Sequence, residues 1–272
     1  AAETEFFGRA ELSNYGTGIV DVDLGDVESD YAGPAVEIVA GSGVIGRYEN
    51  NYINGVDVKL QSITSTAGAG LVLTDQSNSK TNVVIDGNVS AYGTAISIEK
   101  TTAAGDLTLT TNGVVDSTGT SGASDAISVF AEDSSADLTI TTNERVDGAI
   151  DIDQTRTDGT DTTGAKITLN VNAAVTDKIS VRNEQGGEVS VTLGENSEVY
   201  TSTPFEDAID LRSLGSNESS SGKVSIDGGG RSVTSGFQAV RLSSEQGDVE
   251  IENFGEIRSF SMIGLDSKSD AC

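Results

Sequence analysis

Between residues 222 and 266 the chain repeats itself, GKVSIDGGGRSVTSGFQAVRLSS being followed by EQGDVEIENFGEIRSFSMIGLD. Each copy opens with aliphatic residues at i and i+2, first Val224/Ile226 and then Val249/Ile251. A Gly- or Asn-rich turn follows, then a short segment centred on Val233 or Ile257, with Ser235 or Ser259 two places on. The copy closes on a second pair, Val240/Leu242 or Ile263/Leu265, preceded by a small residue or Met. Alternation of period two predicts strands with one face buried. A unit of this size cannot bury its own apolar face, so a fixed repeat of about 25 residues predicts units that stack.

The same template runs back through the chain. The first-strand pairs are Val22/Leu24, Val58/Leu60, Val83/Ile85, Leu107/Leu109, Leu138/Ile140, Ile167/Leu169 and Val189/Val191, then the two above. The middle segments centre on Val27, Ile63, Val89, Val115, Val146, Val175, Val199, Val233 and Ile257. The third-strand pairs are Val36/Ile38, Leu71/Leu73, Ile96/Ile98, Ile127/Val129, Ile150/Ile152, Ile179/Val181, Ile209/Leu211, Val240/Leu242 and Ile263/Leu265. This makes nine units spaced 22 to 36 residues apart. Aligning them puts Asp23, Lys59, Val84, Thr108, Thr139, Thr168, Ser190, Ser225 and Glu250 in one outward row, with a ladder of hydroxyls from Thr108 to Ser225.

Strands this short, arriving in threes, do not suit hairpins joined by two-residue turns. Coiling pairs each strand with its equivalent about 4.8 Å away in the next unit. The fold class is therefore all-β: a parallel β-helix, or β-solenoid, of about nine three-strand coils with essentially no α-helix. Nine coils make a rod roughly 40 Å long. Residues 22–265 carry the repeats, residues 1–21 form an N-terminal cap or first partial coil, and residues 266–272 are a short polar tail. The excess length falls in Gly-, Ser-, Thr-, Asn- and Asp-rich stretches such as 153–165 and 213–222, which project as loops.

Charge narrows the function classes. There are 43 acidic residues against 16 basic ones and no His, a formal charge of −27. Nucleic-acid binding, which needs a basic footprint, is excluded, and so is docking on an anionic membrane. No stretch approaches the 18 or so apolar residues that would insert in a bilayer. With no His, Ser-His-Asp and Cys-His catalysis have no base. The one cysteine, Cys272, cannot form an internal disulfide. Excess acid keeps a repetitive β-protein soluble; it also makes calcium the cofactor to consider. The densest run is DVDLGDVESD, with Asp21, Asp23 and Asp26, and a second surrounds Asp151 and Asp153. Neither follows the EF-hand order or the nonapeptide of calcium-binding β-rolls.

Segments such as DAISV (125–129), DAIDLRS (207–213), GDVEIENFGEI (247–257) and GSGVIG (41–46) resemble the passenger domains of bacterial autotransporters and related filamentous adhesins. The resemblance covers most of residues 12 to 265. It implies a non-catalytic structural or adhesive protein, secreted or displayed on a bacterial surface, with a host or matrix ligand as partner. The alternative from a different class is a polysaccharide-active β-helix enzyme, a lyase or glycosidase; scarce aromatics and singly scattered arginines speak against a sugar cleft. Solenoid ends carry unpaired strand groups. Phe6, Phe7, Val22 and Leu24 at one end and Val249, Ile251, Ile263 and Leu265 at the other are thus the candidates for head-to-tail stacking into a homopolymer.

Overall fold

The computed structural model describes residues 6–15, 18–41, 53–101, 105–119, 125–132, 136–155, 165–201, 206–214, 222–230, 232–235, 238–245, 247–259 and 266–269. Strands are the only regular elements among them, and every strand pairing is parallel, residue against its counterpart one coil away. The chain is a parallel β-solenoid with three sheets running along its length.

The first sheet has nine strands, from Gly18–Leu24 to Val249–Glu252. The third has ten, from Ala10–Asn14 to Asp266–Ser269. The middle sheet is six strands, Phe6–Phe7 to Val146–Asp147, then three, Val199–Tyr200 to Glu256–Ser259. Isolated bridges Val146–Val175–Val199 carry the stack across the gap. All nine predicted middle residues fall in this one column.

The third-strand pairs stack as their spacing predicts, Ile96 on Ile127 on Ile150 on Ile179 on Ile209, each fully buried. The residue before each pair is usually Ala, and Ala35, Ala95, Ala126 and Ala208 are wholly inaccessible. At these four coils the methyl is enclosed where the chain turns from the middle sheet into the third, whereas Lys178, at the same position, is partly exposed. Neighbouring side chains stack like on like, so each coil presents the next with a complementary apolar surface.

The first-sheet pairs stack as aligned except at one step, between Thr81–Ile85 and Leu107–Thr111, where the register is shifted by two. Leu109, not Leu107, faces Val83, and Leu107 faces Thr81. A shift of two residues returns every side chain to the same face, so alternation alone cannot detect it. These strands have three inward positions rather than two, and Thr81, Thr111 and Thr142 fill some of them at 0–1% exposure. The outward row changes accordingly: Thr108 lies beside Asn82, and Val84 beside Thr110. The five hydroxyls from Thr108 through Thr139, Thr168 and Ser190 to Ser225 do lie in one row.

At the N-terminal side, Phe6–Phe7 pairs with Val27–Ser29 and Ala10–Asn14 with Val36–Ala40, a partial coil ahead of the first full one. At the other side the segment 266–269, read from sequence as tail, is a strand opposite Arg241–Ser244. Its Ser267 faces Leu242, where the repeat places Leu265; Ile263 and Leu265 themselves lie outside the described residues.

Candidate functional site

The three outer faces carry different chemistry. On the first sheet, rows of Thr, Ser and Asn occupy the central coils, giving way to carboxylates on either side: Asp21, Asp23 and Asp57 at one end, Asp227, Glu250 and Glu252 at the other. A groove of about 390 Å³ on this face is lined by Asp21, Asp23, Asp57, Lys59, Asn82 and Asp86 among others. Asn82 Nδ2 donates to Asp57 Oδ1 at 2.9 Å, and Lys59 Nζ stands 3.5 Å from Asp86 Oδ2. From Asp86 an amide ladder runs along the corner. Asn112, Asn143 and Asn172 each donate to the residue one coil back, at 2.9, 2.7 and 2.9 Å.

The calcium candidates are dispersed. Asp21 and Asp23 share the first-sheet face, whereas Asp26 sits at a corner and accepts the Ser62 N–H at 3.1 Å. Asp151 and Asp153 point outward from the third sheet. Among the described residues no group of three or more acidic side chains is gathered as a metal would require.

The third-sheet face alternates sign. Asp153 lies beside Arg182, Asp210 beside Arg241, and Asp210 also pairs within its own strand with Arg212, whose Nε donates at 2.9 and 3.1 Å. Burial pushes the Asp125 carboxyl up; Asp151 adds to this, Lys178 opposes it and Asp177 adds again. Burial likewise pushes Asp153 up, against Arg182 and with Glu184 and Asp151. For Asp207, burial is followed by repulsion from Asp210, with Arg241 pulling the other way at 3.8 Å. On the middle sheet Asp116 is raised by burial and by neighbouring Asp147, with Arg145 opposing. With their arginine neighbours these carboxyl groups form a zwitterionic surface.

The feature that sequence reasoning missed is inside. Four residues after the first of each third-strand pair comes a further inward position, held in successive coils by Ala40, Asp75, Lys100, Ala131, Gln154, Asn183, Ser213 and Ser244. All are buried. Apart from Asp75, whose partners lie in the following turn and coil, the polar ones reach across to the start of their own coil. Gln154 Nε2 donates to Ala136 O at 3.0 Å, Asn183 Nδ2 to Ala165 O at 2.8 Å, Ser213 Oγ to Gly187 O at 2.9 Å and Ser244 Oγ to Gly222 O at 2.8 Å. Each acceptor precedes the first inward residue of that coil by two positions. The acceptor position must be small: a Cβ on Gly222 would lie 2.0 Å from Ser213 Oγ and 2.3 Å from Gly187 O. The signal available in the sequence was spacing alone, since i, i+2 and i+4 share a face.

The fold thus defines a parallel β-solenoid with a polar seam along one interior corner. The chain matches no family model, no curated protein and no solved structure.

Proposed function

We propose that this chain is a non-catalytic β-solenoid of the bacterial cell surface or extracellular space, a structural or adhesive rod akin to autotransporter passengers and filamentous adhesins. The observation that supports this most is the organisation of the outer faces. Short hydroxyl, amide and carboxylate side chains lie in register over coil after coil, which offers an extended recognition surface to a host or matrix ligand. Such solenoid surfaces bind over length, through many weak contacts. Against hydrolysis of a polysaccharide, two carboxylates of the third sheet are engaged with guanidinium groups, Asp210 with Arg212 and Asp207 with Arg241. A glycosidase needs one carboxyl free to protonate and one free to attack or activate water.

Assembly belongs to the same reading. The strands holding Val22 and Leu24 and those holding Val249 and Ile251 are the outermost of the first sheet among the described residues. Val249 and Ile251 are only half-buried, unlike their counterparts Val224 and Ile226 one coil away. A second copy stacked there would complete their burial and pair the strand edge, giving an open, heterologous filament.

The test is a panel of immobilised matrix proteins and glycans, run beside turnover assays on acidic and neutral polysaccharides. Saturable binding without cleavage is expected; release of oligosaccharides from any substrate overturns the non-catalytic reading. Sedimentation velocity over a wide concentration range checks assembly, which a strictly monomeric rod would remove.

A further inference from the structure

Two adjacent members of the interior seam carry full charges of opposite sign. Lys100 and Asp75 both have 0% side-chain exposure, and Lys100 Nζ stands 2.5 Å from Asp75 Oδ2. The same nitrogen lies 3.2 Å from Ser79 O, 3.3 Å from Thr81 Oγ1 and 3.5 Å from Ser77 O. All four neighbours are oxygens. Asp75 is itself fixed, its Oδ1 accepting the Ser77 N–H at 2.8 Å and its Oδ2 accepting the Thr81 hydroxyl. The coil on the far side closes over the site: a Cβ on Gly105 would lie 2.0 Å from Ser79 O. Flanking positions of the column are Ala40 and Ala131, which bring no polar side chain.

A chain built from Val, Ile and Leu has no packing reason to place lysine here, since Met fills a similar length without desolvating an ammonium. We propose that Asp75, Thr81 and the carbonyls of Ser77 and Ser79 form a cation-binding cage, closed by the protein's own Lys100 ammonium. This cage, rather than the aliphatic columns, fixes how the strands Leu71–Asp75 and Ile96–Thr101 stack. Aliphatic pairs are nearly interchangeable, and a slip of two residues keeps them on the buried face. The same slip carries Nζ away from Asp75 and leaves two charges buried without partners. The cage supplies one carboxylate and otherwise neutral oxygens, and it excludes water. It therefore suits a monovalent cation of ammonium size and not a divalent ion, which would need more anionic ligands.

Two measurements test this. In the native chain with ¹⁵N-labelled lysine, Lys100 should give an ammonium signal whose protons exchange slowly with water, absent in Lys100→Met. Rapid exchange at every lysine would overturn the closed cage. In Lys100→Ala the tether is gone, and the melting temperature should fall. Methylammonium chloride should then raise it more than tetramethylammonium chloride at equal ionic strength, while the native chain responds alike to both salts. Equal responses in Lys100→Ala would overturn the proposal. Should that variant not fold unaided, its refolding yield in the two salts gives the same comparison, and the exchange measurement on the native chain is unaffected.

Discussion

Within single strands of the third sheet two kinds of column run side by side. Ile96, Ile127, Ile150, Ile179 and Ile209 stack directly on one another, and four residues further on stand Lys100, Ala131, Gln154, Asn183 and Ser213. The isoleucines join one coil to the next by dispersion and exclusion of water, and the identity of each neighbour matters little provided it is apolar. The polar residues mostly act within a coil, tying the end of its third strand to the start of its first. Stacking and closure are thus largely separate jobs, done by residues with the same inward orientation and opposite polarity; the Lys100–Asp75 pair, which joins adjacent coils, is the exception. An error in the first column spreads to both neighbouring coils, whereas an error in the second opens one corner.

The comparison can be broken at graded points. Ile209→Asp places a carboxylate in the aliphatic stack with no partner, at a cost on the order of 5 kcal/mol. A urea melt should show it unfolding far earlier than the native chain, while substitutions at Ser219 to Ser221, outside the described residues, should leave the midpoint unchanged. Lys100→Met strands the Asp75 carboxylate and should cost about 3–5 kcal/mol, whereas Asp75→Leu combined with Lys100→Met should recover most of it. A double variant no better than the single one would mean that packing, not charge, holds this corner.

Asn183→Ala removes one closing bond and leaves the Ala165 carbonyl unmet, which should cost about 1–3 kcal/mol. Hydrogen exchange should quicken at that corner and not along the isoleucine column. Thr111 and Thr142 invert the lesson: their buried hydroxyls have no hydrogen-bond partner among the described residues. Thr111→Val and Thr142→Val keep the shape and remove an unmet polar atom, so each should raise stability by about 1 kcal/mol in the same melts.

The smallest effect is that of pH. In the folded chain Asp116, Asp125, Asp153 and Asp207 are all raised above their ordinary values, first by burial. Folding therefore takes up protons at these sites. Their unfavourable contribution is absent below the unfolded carboxylate range, near pH 4, and complete above the folded values. Exposed Asp227 and Glu250 are shifted the other way by their hydrogen-bond donors and oppose the trend. The melting temperature should rise modestly as the pH falls from neutral towards the unfolded carboxylate range near pH 4, and Asp207→Asn should flatten the rise. A fall over that interval would show that the lost ion pairs outweigh these four groups.

The stacking half of this architecture was legible from residues such as Ile127 and Ile150, because a period of two and a unit of about 25 residues are visible wherever the inward residues are aliphatic. The closing half was not. Lys100, Gln154 and Asn183 obey the same alternation, but a residue's polarity ordinarily marks it as outward, and only a contact to a distant carbonyl reveals otherwise. Thr81 and Thr111 hid the first-sheet register for the same reason, leaving Leu107 apparently level with Val83. The candidate calcium residues failed to converge for a different cause. Acidic runs along the chain become single carboxylates on separate faces once the chain turns corners, as Asp23 and Asp26 show.

Register is the central claim, and engineered disulfides read it directly. In a Cys272→Ser background, Val84→Cys with Thr110→Cys joins partners on adjacent strands of a parallel ladder, at a separation a disulfide spans without backbone movement. Oxidation should close this pair readily with no loss of stability, while Val84→Cys with Thr108→Cys, the pairing that simple repeat alignment implies, should stay reduced. Preferential closure of the second pair, or of neither, would contradict the stacking described here.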